Sequence, residues 1–337
     1  MAKKTQQEEI LEFAKGSNFI FEIPPYKSNW KPIEQINYVE KTHLKPNPFE
    51  PRTFKDFVGQ QSAKEVLQII VDSANKENRL IPNILLTGAY GHGKTTLAKL
   101  VIRRHKKKIK IIDGSIAATA IVPSKEIVYI VDEAHNIPPQ LADTYNLLID
   151  SDNLRIVACT TNPGALPAAF RSRFRNIYLG SYTSDNIKII VQRAARRSKI
   201  NITGSAAQSI AERAKLNPRY ALSLLDFIRE ISVVESTLES PINEKDVMRG
   251  LAILGIDPSG LTELDRKYLK LLHYDRPVGL QYIAAVLSTD VTTVQEEIEP
   301  YLIQAGLVER TAKGRLLGGS IEAFKARILE EAKNFIP

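Results

Sequence analysis

A parallel β-sheet covered by helices, followed by two smaller and mainly helical units, is the architecture this sequence predicts. Three observations carry that expectation. Between residues 51 and 182, short and continuously apolar segments alternate with stretches of helical periodicity. A glycine-rich turn stands between the first apolar segment, Asn83–Thr87, and the helical stretch after it. Beyond Tyr182 the strand pattern stops. Strands that are apolar on both faces need cover on both faces, as parallel strands linked by helices have.

Taken in order, residues 1–48 show weak periodicity and carry Pro24, Pro25, Pro32, Pro46 and Pro48, so they read as an extension. Ser62–Asn75 repeats apolar residues at helical spacing, with Val66, Leu67, Ile69, Ile70 and Ala74 expected on one side. Asn83–Thr87, Ile109–Ile112, Ile127–Val131 and Leu154–Ala158 read as strands, and Lys94–Arg104 as a helix. The run Arg103–Lys110 is strongly basic and reads as a solvated turn after that helix. Four helices are expected at 185–198, 204–215, 218–234 and 243–254. A third unit opens near Asp257-Pro-Ser-Gly260. Helices at 262–273, 279–287 and 291–303 and short strands around 306–318 follow, the order of a winged helix. The expected divisions are 1–48 (extension), 49–182 (α/β core), 183–255 (helical lid), 256–325 (winged helix) and 326–337 (tail).

The totals narrow the function classes. A chain of 337 residues can bury two or three cores. Its single cysteine, Cys159, excludes an internal disulfide and points to a reducing, cytoplasmic compartment. No apolar run of eighteen residues is present, so no membrane span is expected. The N-terminal residues Met1–Glu9 do not read as a secretory signal. The net charge of +8 favours a polyanionic partner, since clustered cations release counterions from phosphate backbones.

The chemistry concentrates at three strand ends. Gly88-Ala-Tyr-Gly-His-Gly-Lys94-Thr95 fits G-x-x-x-x-G-K-[ST] without a mismatch, between a strand and a helix. Its glycines let backbone N–H groups close on phosphate oxygens, and the helix N-terminus adds partial positive charge. Lys94 is expected to reach the β- and γ-phosphates of ATP, and Thr95 to ligate Mg²⁺. Ile127-Val-Tyr-Ile-Val-Asp132-Glu133 places Asp132 at the end of a buried strand, where it can hold the Mg²⁺ shell. Glu133 then faces the cleft as the residue that polarises the attacking water. Cys159-Thr160-Thr161-Asn162 ends the next strand with polar groups able to orient that water. Arg171-Ser-Arg173-Phe174 follows, and an arginine there can enter a neighbouring subunit's site as a transition-state finger.

In this order, Phe54–Gln60, the phosphate loop, Asp132-Glu133, Thr160-Thr161, Arg171–Phe174 and Asn217-Pro-Arg219 resemble the successive motifs of an AAA+ ATPase. The C-terminal segments Gly260–Arg266, Pro277–Leu280, Glu299–Gly306 and Glu309–Arg315 resemble, more closely, the RuvB family of Holliday-junction branch-migration motors. The resemblance covers roughly residues 49–320. It implies an ATP-hydrolysing homo-oligomer, a six-membered ring, that acts on duplex or branched DNA. It also implies roles: Val58 and Gly59 at the adenine; Gly88, Gly91, His92, Gly93, Lys94, Thr95 and Thr96 around phosphate and Mg²⁺. Thr161 looks like the sensor-1 residue, with Thr160 and Asn162 as competitors, and Arg173 like the trans-acting finger, with Arg171 the other candidate. Tyr182 and Arg219 would meet the nucleotide from the hinge and the lid. Arg310, Lys313 and Arg315 would meet DNA phosphates from the wing.

The chain also departs from that family. Glu50 stands where an arginine is usual, which puts one adenine-side contact in doubt. The stretches Asp113–Glu126 and Leu148–Leu154 are short, and the second leaves no room for the family's RuvA-gripping β-hairpin. A protein partner other than RuvA is therefore expected. A shortened and extended relative of this kind suits a phage or mobile element. Two alternatives to the DNA motor stand beside it. One is a clamp-loader or helicase-loader switch whose ATP state controls assembly of a protein partner on DNA. The other is a DNA-binding adaptor with a vestigial ATPase, against which the intact Lys94, Thr95, Asp132, Glu133 and Arg173 argue.

Overall fold

The computed structural model describes residues 47–105, 108–235 and 240–320. The expected extension, but for its last two residues, and the expected tail lie outside the described residues.

The core is built on five strands: β1 (Ile84–Gly88), β2 (Lys108–Asp113), β3 (Ile127–Asp132), β4 (Arg155–Thr160) and β5 (Arg175–Leu179). Their order is β2-β3-β4-β1-β5 and every pairing is parallel. Two apolar layers cover the sheet. Helices α1 (Gln61–Lys76) and α2 (Lys94–His105) pack on one face with Leu67, Val71, Leu97 and Val101. Helix α3 (Pro139–Asp150) and the Leu166–Phe174 segment cover the other. All five strands run the same way, so their carboxyl ends share one edge, where open α/β sheets hold ligands.

Two sequence expectations are corrected here. Val66 and Ile69 do not share the buried side of α1: they are 45% and 69% exposed, while Ala63, Leu67, Ile70, Val71 and Ala74 are buried. At about 100° per residue, Ile69 lies some 200° round from Leu67, on the far face. Strand β5, for which the sequence carried no strand expectation, is an edge strand with only Ile177 and Leu179 buried. Its alternation is half polar, so it lacks the continuous apolar run that marked its neighbours.

The lid comprises α4 (Ser184–Arg197), α5 (Gly204–Arg213), α6 (Pro218–Val234) and α7 (Glu244–Ile253), around a core of Ile187, Val191, Ile210, Leu225 and Leu251. Each starts on a side-chain cap: Thr183, Thr203, Asn217 and Asn243 accept hydrogen bonds from backbone N–H groups of the first turn. Such caps satisfy donors that the helix itself leaves open. The third unit holds α8 (Glu263–Leu271), α9 (Leu280–Val286) and a third helical run ending in α10 (Glu299–Gln304). That run widens to a π-turn over Val294–Ile298, just before Pro300, which has no N–H to continue an α-helical ladder. The antiparallel pair β6 (Val308–Thr311) and β7 (Gly314–Leu317) forms the wing.

Lid and winged helix are bonded together. Lys215 forms an ion pair with Asp265, which is 1% exposed and closes the α8 capping box with Thr262. Gly260, at φ +86, lies so close to the Arg213 backbone that a Cβ would stand 2.9 Å from its Cα.

Candidate functional site

A cavity of about 400 Å³ opens at the carboxyl ends of β1 and β3, roofed by the first turn of α6. It is lined by Lys94, Thr95, Asp132 and Glu133 from the core, and by Tyr182 and Arg219 from the hinge and lid. The phosphate loop reaches it by left-handed turns that favour glycine. Gly91 has φ +76, and a Cβ there would stand 2.2 Å from Asn217 Oδ1.

Lys94 is 5% exposed, and its Nζ donates to the carbonyls of Gly88 (2.9 Å) and Ala89 (3.1 Å), bracing the loop from within. Burial holds its pKa below the ordinary lysine value, opposed by the carboxylates of Glu133 and Asp132. Thr95 Oγ1 lies 2.8 Å from both carboxylate oxygens of Asp132. A hydroxyl and a carboxylate at the cleft are the hard oxygen ligands that Mg²⁺ takes. Among the described residues no group of three or more His, Cys, Asp or Glu converges on a site of its own.

Glu133 follows Asp132 in a left-handed conformation (φ 45°, ψ 50°). Such backbone is costly for a non-glycine residue and recurs at active sites. It turns the side chain out of line with the strand, and Gly114 provides the space: a Cβ there would lie 2.4 Å from the Glu133 carbonyl. Glu133 Oε2 is buried without a hydrogen bond, and His135 Nδ1 stands 3.4 Å away, too far to satisfy it. Burial lifts the Glu133 pKa above the ordinary glutamate value, with Lys94 opposing.

Of the polar groups ending β4, Thr160 is the one bonded into this region. It is fully buried, its Oγ1 lies 3.0 Å from His135 Nδ1, and it accepts from the Asn162 N–H. Thr161 is half-buried and Asn162 exposed, and neither lines the cavity. Val58 and Thr96 line it. Gly59 packs against the Tyr182 ring, and Gly88 against Leu179. His92 is 8% exposed and lies beneath the loop, edge-on to Tyr182 at 5.5 Å, rather than facing the cleft. Glu50 is matched rather than orphaned, since Lys99 Nζ donates to it at 2.8 Å on the cavity wall.

Arg173 lies outside this cavity and is clamped by Asp150, with Nε to Oδ1 at 2.8 Å and Nη2 to Oδ2 at 2.7 Å. Arg171 is half-buried, with Nε lacking a hydrogen bond. On the wing, Arg310 and Lys313 are exposed. Arg315 is not, which corrects the expectation that it faces DNA. It is 7% exposed and pairs bidentately with buried Glu299 at 2.7 and 3.1 Å, beside the Tyr268 hydroxyl. Sequence reading missed Tyr90 and His135 as neighbours of the site. An aromatic inside the phosphate loop was the one legible signal among them.

Family comparison matches three consecutive descriptions. These are the Holliday junction DNA helicase RuvB P-loop domain over 49–150, the RuvB AAA lid domain over 182–257 and the RuvB C-terminal winged-helix domain over 258–322. The chain belongs to the RuvB family. Among RuvB relatives, the branch migration complex subunit of Campylobacter concisus is 32% identical over 331 residues, covering 88% of this chain and 98% of its own. That of Campylobacter hominis is 32% identical over 315 residues, covering 85% and 91%. The solved RuvB branch migration motor of Thermotoga maritima superposes with a TM-score of 0.73 at 32% identity, over 83% of this chain and 98% of that one. A variant of the same RuvB gives 0.75 at 30% identity, over 86% and 99%. The P-loop ATPase core, AAA lid and winged helix expected from the sequence are thus the RuvB architecture. No helix among the described residues is long and apolar enough to cross a membrane.

Proposed function

We propose that this chain is an ATP-driven motor of the RuvB type, acting in the cytoplasm as an oligomer that moves duplex or junction DNA. The observation that carries it is the convergence of Lys94, Thr95, Asp132 and Glu133 in one cavity roofed by a lid that is itself bonded to a winged helix.

The hydrolysis follows from these positions. Lys94 and the loop N–H groups hold the phosphates of ATP in line. Thr95 and Asp132 would hold Mg²⁺, which supplies charge neutralisation at the phosphate oxygens. The Glu133 carboxylate, which lines the cavity, accepts a proton from the attacking water, whose oxygen bonds the γ-phosphorus as the bond to the β–γ bridging oxygen breaks. The products are ADP and inorganic phosphate. Arg219 meets the nucleotide from the lid. Arg173 is offered to a neighbour's site in a ring of six copies, leaving Asp150 as it does so. Arg310 and Lys313 on the wing grip backbone phosphates without reading bases.

The partner reading rests on the α3–β4 connection. Helix α3 ends at Asp150 and β4 starts at Arg155, and the residues between form a turn with Asp152 at φ 63°. There is no hairpin there, which favours recruitment to DNA by a protein other than RuvA.

Steady-state ATP hydrolysis without DNA, with linear duplex and with a synthetic four-way junction tests the motor, with Glu133→Gln as the blank. Stimulation by DNA that vanishes in the blank is the expected result. Turnover indifferent to every DNA would overturn the autonomous motor in favour of the loader switch, which the trimmed Asp113–Glu126 stretch also suits.

A further inference from the structure

The tip of the phosphate loop carries an aromatic ring that the mechanism above leaves unused. Tyr90 is 53% exposed at the cavity wall, and the guanidinium carbon of Arg219 stands 4.5 Å from the centre of its ring. An arginine so placed is held by the ring's negative face and stacks on it as a plane. A second contact joins the same two segments. Asn217 Nδ2 donates to the Tyr90 carbonyl at 3.1 Å, while Asn217 Oδ1 accepts from the N–H groups of Arg219 (2.9 Å) and Tyr220 (3.3 Å) and so caps α6. Tyr90 belongs to the core, and Asn217 and Arg219 to the lid. The close approach depends on Gly91 having no side chain.

We propose that Tyr90 is a positioning residue for Arg219, its ring holding the guanidinium over the phosphate end of the cleft and latching the lid to the loop. The proposal rests on the ATPase reading and adds a specific platform to it. Arg219 has a long, rotamer-rich side chain, and without a surface to lie on it would reach the nucleotide from many conformations. On Tyr90 its donors stay free, because a stacked guanidinium keeps its N–H groups in the plane of the fork. Its charge acts on the same spot as Lys94, whose ammonium it disfavours. Two cations at one end of a cleft suit a polyphosphate. Other positions of the loop between Gly88 and Lys94 cannot serve this purpose: Ala89 has no ring, and His92 is turned under the loop.

The test is a double-mutant cycle on the full chain, reading the affinity for a fluorescent ATP analogue, the kcat and KM for ATP, and the melting temperature. Tyr90→Leu is expected to weaken nucleotide binding and raise KM by about 2- to 5-fold, with kcat changing less. Tyr90→Phe, which keeps the ring face, restores the wild-type values. In an Arg219→Leu background Tyr90→Leu has no further effect, because the partner is already gone. Tyr90→Gln gives the same reading should the leucine variant fail to melt cooperatively. A penalty of the same size with and without Arg219, or Phe behaving like Leu, overturns the latch while the ATPase reading stands. A wild-type chain that binds no ATP analogue overturns both.

Discussion

Glu133, the proposed general base, is placed by its backbone as much as by its side chain. With Glu133 in a left-handed conformation, one of its carboxylate oxygens is buried without a hydrogen bond, and burial raises its affinity for protons. A general base must be deprotonated to work, so activity is lost as the pH falls through its pKa, and raising that pKa moves the loss to higher pH. The acid limb of kcat is therefore expected above the ordinary glutamate range, read from turnover between about pH 5 and pH 9. Glu133→Gln lowers kcat by about 10²- to 10⁴-fold and leaves the affinity for ATP in place. An acid limb at the ordinary carboxylate position would show that water, not burial, surrounds the carboxylate during turnover.

Among the elements, the winged helix has the clearest internal logic. Its three helices and wing surround a core of Leu261, Leu272, Ile283, Leu302 and Val308, into which one ion pair is set. Glu299 at the start of α10 meets Arg315 on β7, and the pair is nearly closed to solvent. Burial and the neighbouring Glu299 carboxylate push the Tyr268 phenol up, so it stays a hydrogen-bond donor to Glu299. Removing one partner strands the other in a low-dielectric core. Arg315→Ala is expected to destabilise the protein by about 3–5 kcal/mol, seen as a lower melting temperature. The same change at exposed Arg310 leaves melting untouched and weakens DNA binding. Loss of DNA binding in Arg315→Ala without loss of stability would return that residue to the DNA face.

For the whole molecule, the arrangement that matters is core, lid and winged helix in series, with the nucleotide cavity at the first joint and the Lys215–Asp265 pair at the second. If Arg173 is the finger of the proposed ring, each site is complete only at an interface between copies. Arg173 cannot serve its own cavity while Asp150 holds it at the end of α3, on the far side of the sheet from the α1–α2 layer. Mixing Glu133→Gln with Arg173→Ala, each inactive alone, is expected to restore part of the turnover. In a mixed ring some interfaces pair an intact Glu133 with an intact Arg173. No recovery with Arg173→Ala, but recovery with Arg171→Ala, would transfer the finger to Arg171.

The reach of the sequence differs between these features for a common reason. Strand ends and helix starts are local: a buried apolar run, a capping Thr or Asn and a glycine turn each lie within a few residues. The helix start at Lys94 and the polar strand ends at Asp132 and Thr160 are therefore readable, and so is α6, expected at 218–234 and found at Pro218–Val234. The parallel sheet then brings those ends to one edge whatever the loops between them do. Contacts between distant segments carry no such local mark. Whether Arg315 faces water depends on Glu299 sixteen residues earlier, and whether Tyr90 has a partner depends on Arg219 in another domain. Val66 lies at the margin of the covered stripe of α1, whose width only packing sets, whereas Ile69 is apolar on the far face, where the helical period already placed it. Local pattern thus determined the fold class and the family, and it singled out Lys94, Thr95, Asp132 and Glu133, which line one cavity. Only tertiary packing, through the pairing of charges and rings far apart in the chain, decided which arginines are buried in ion pairs, which are exposed, and what holds them there.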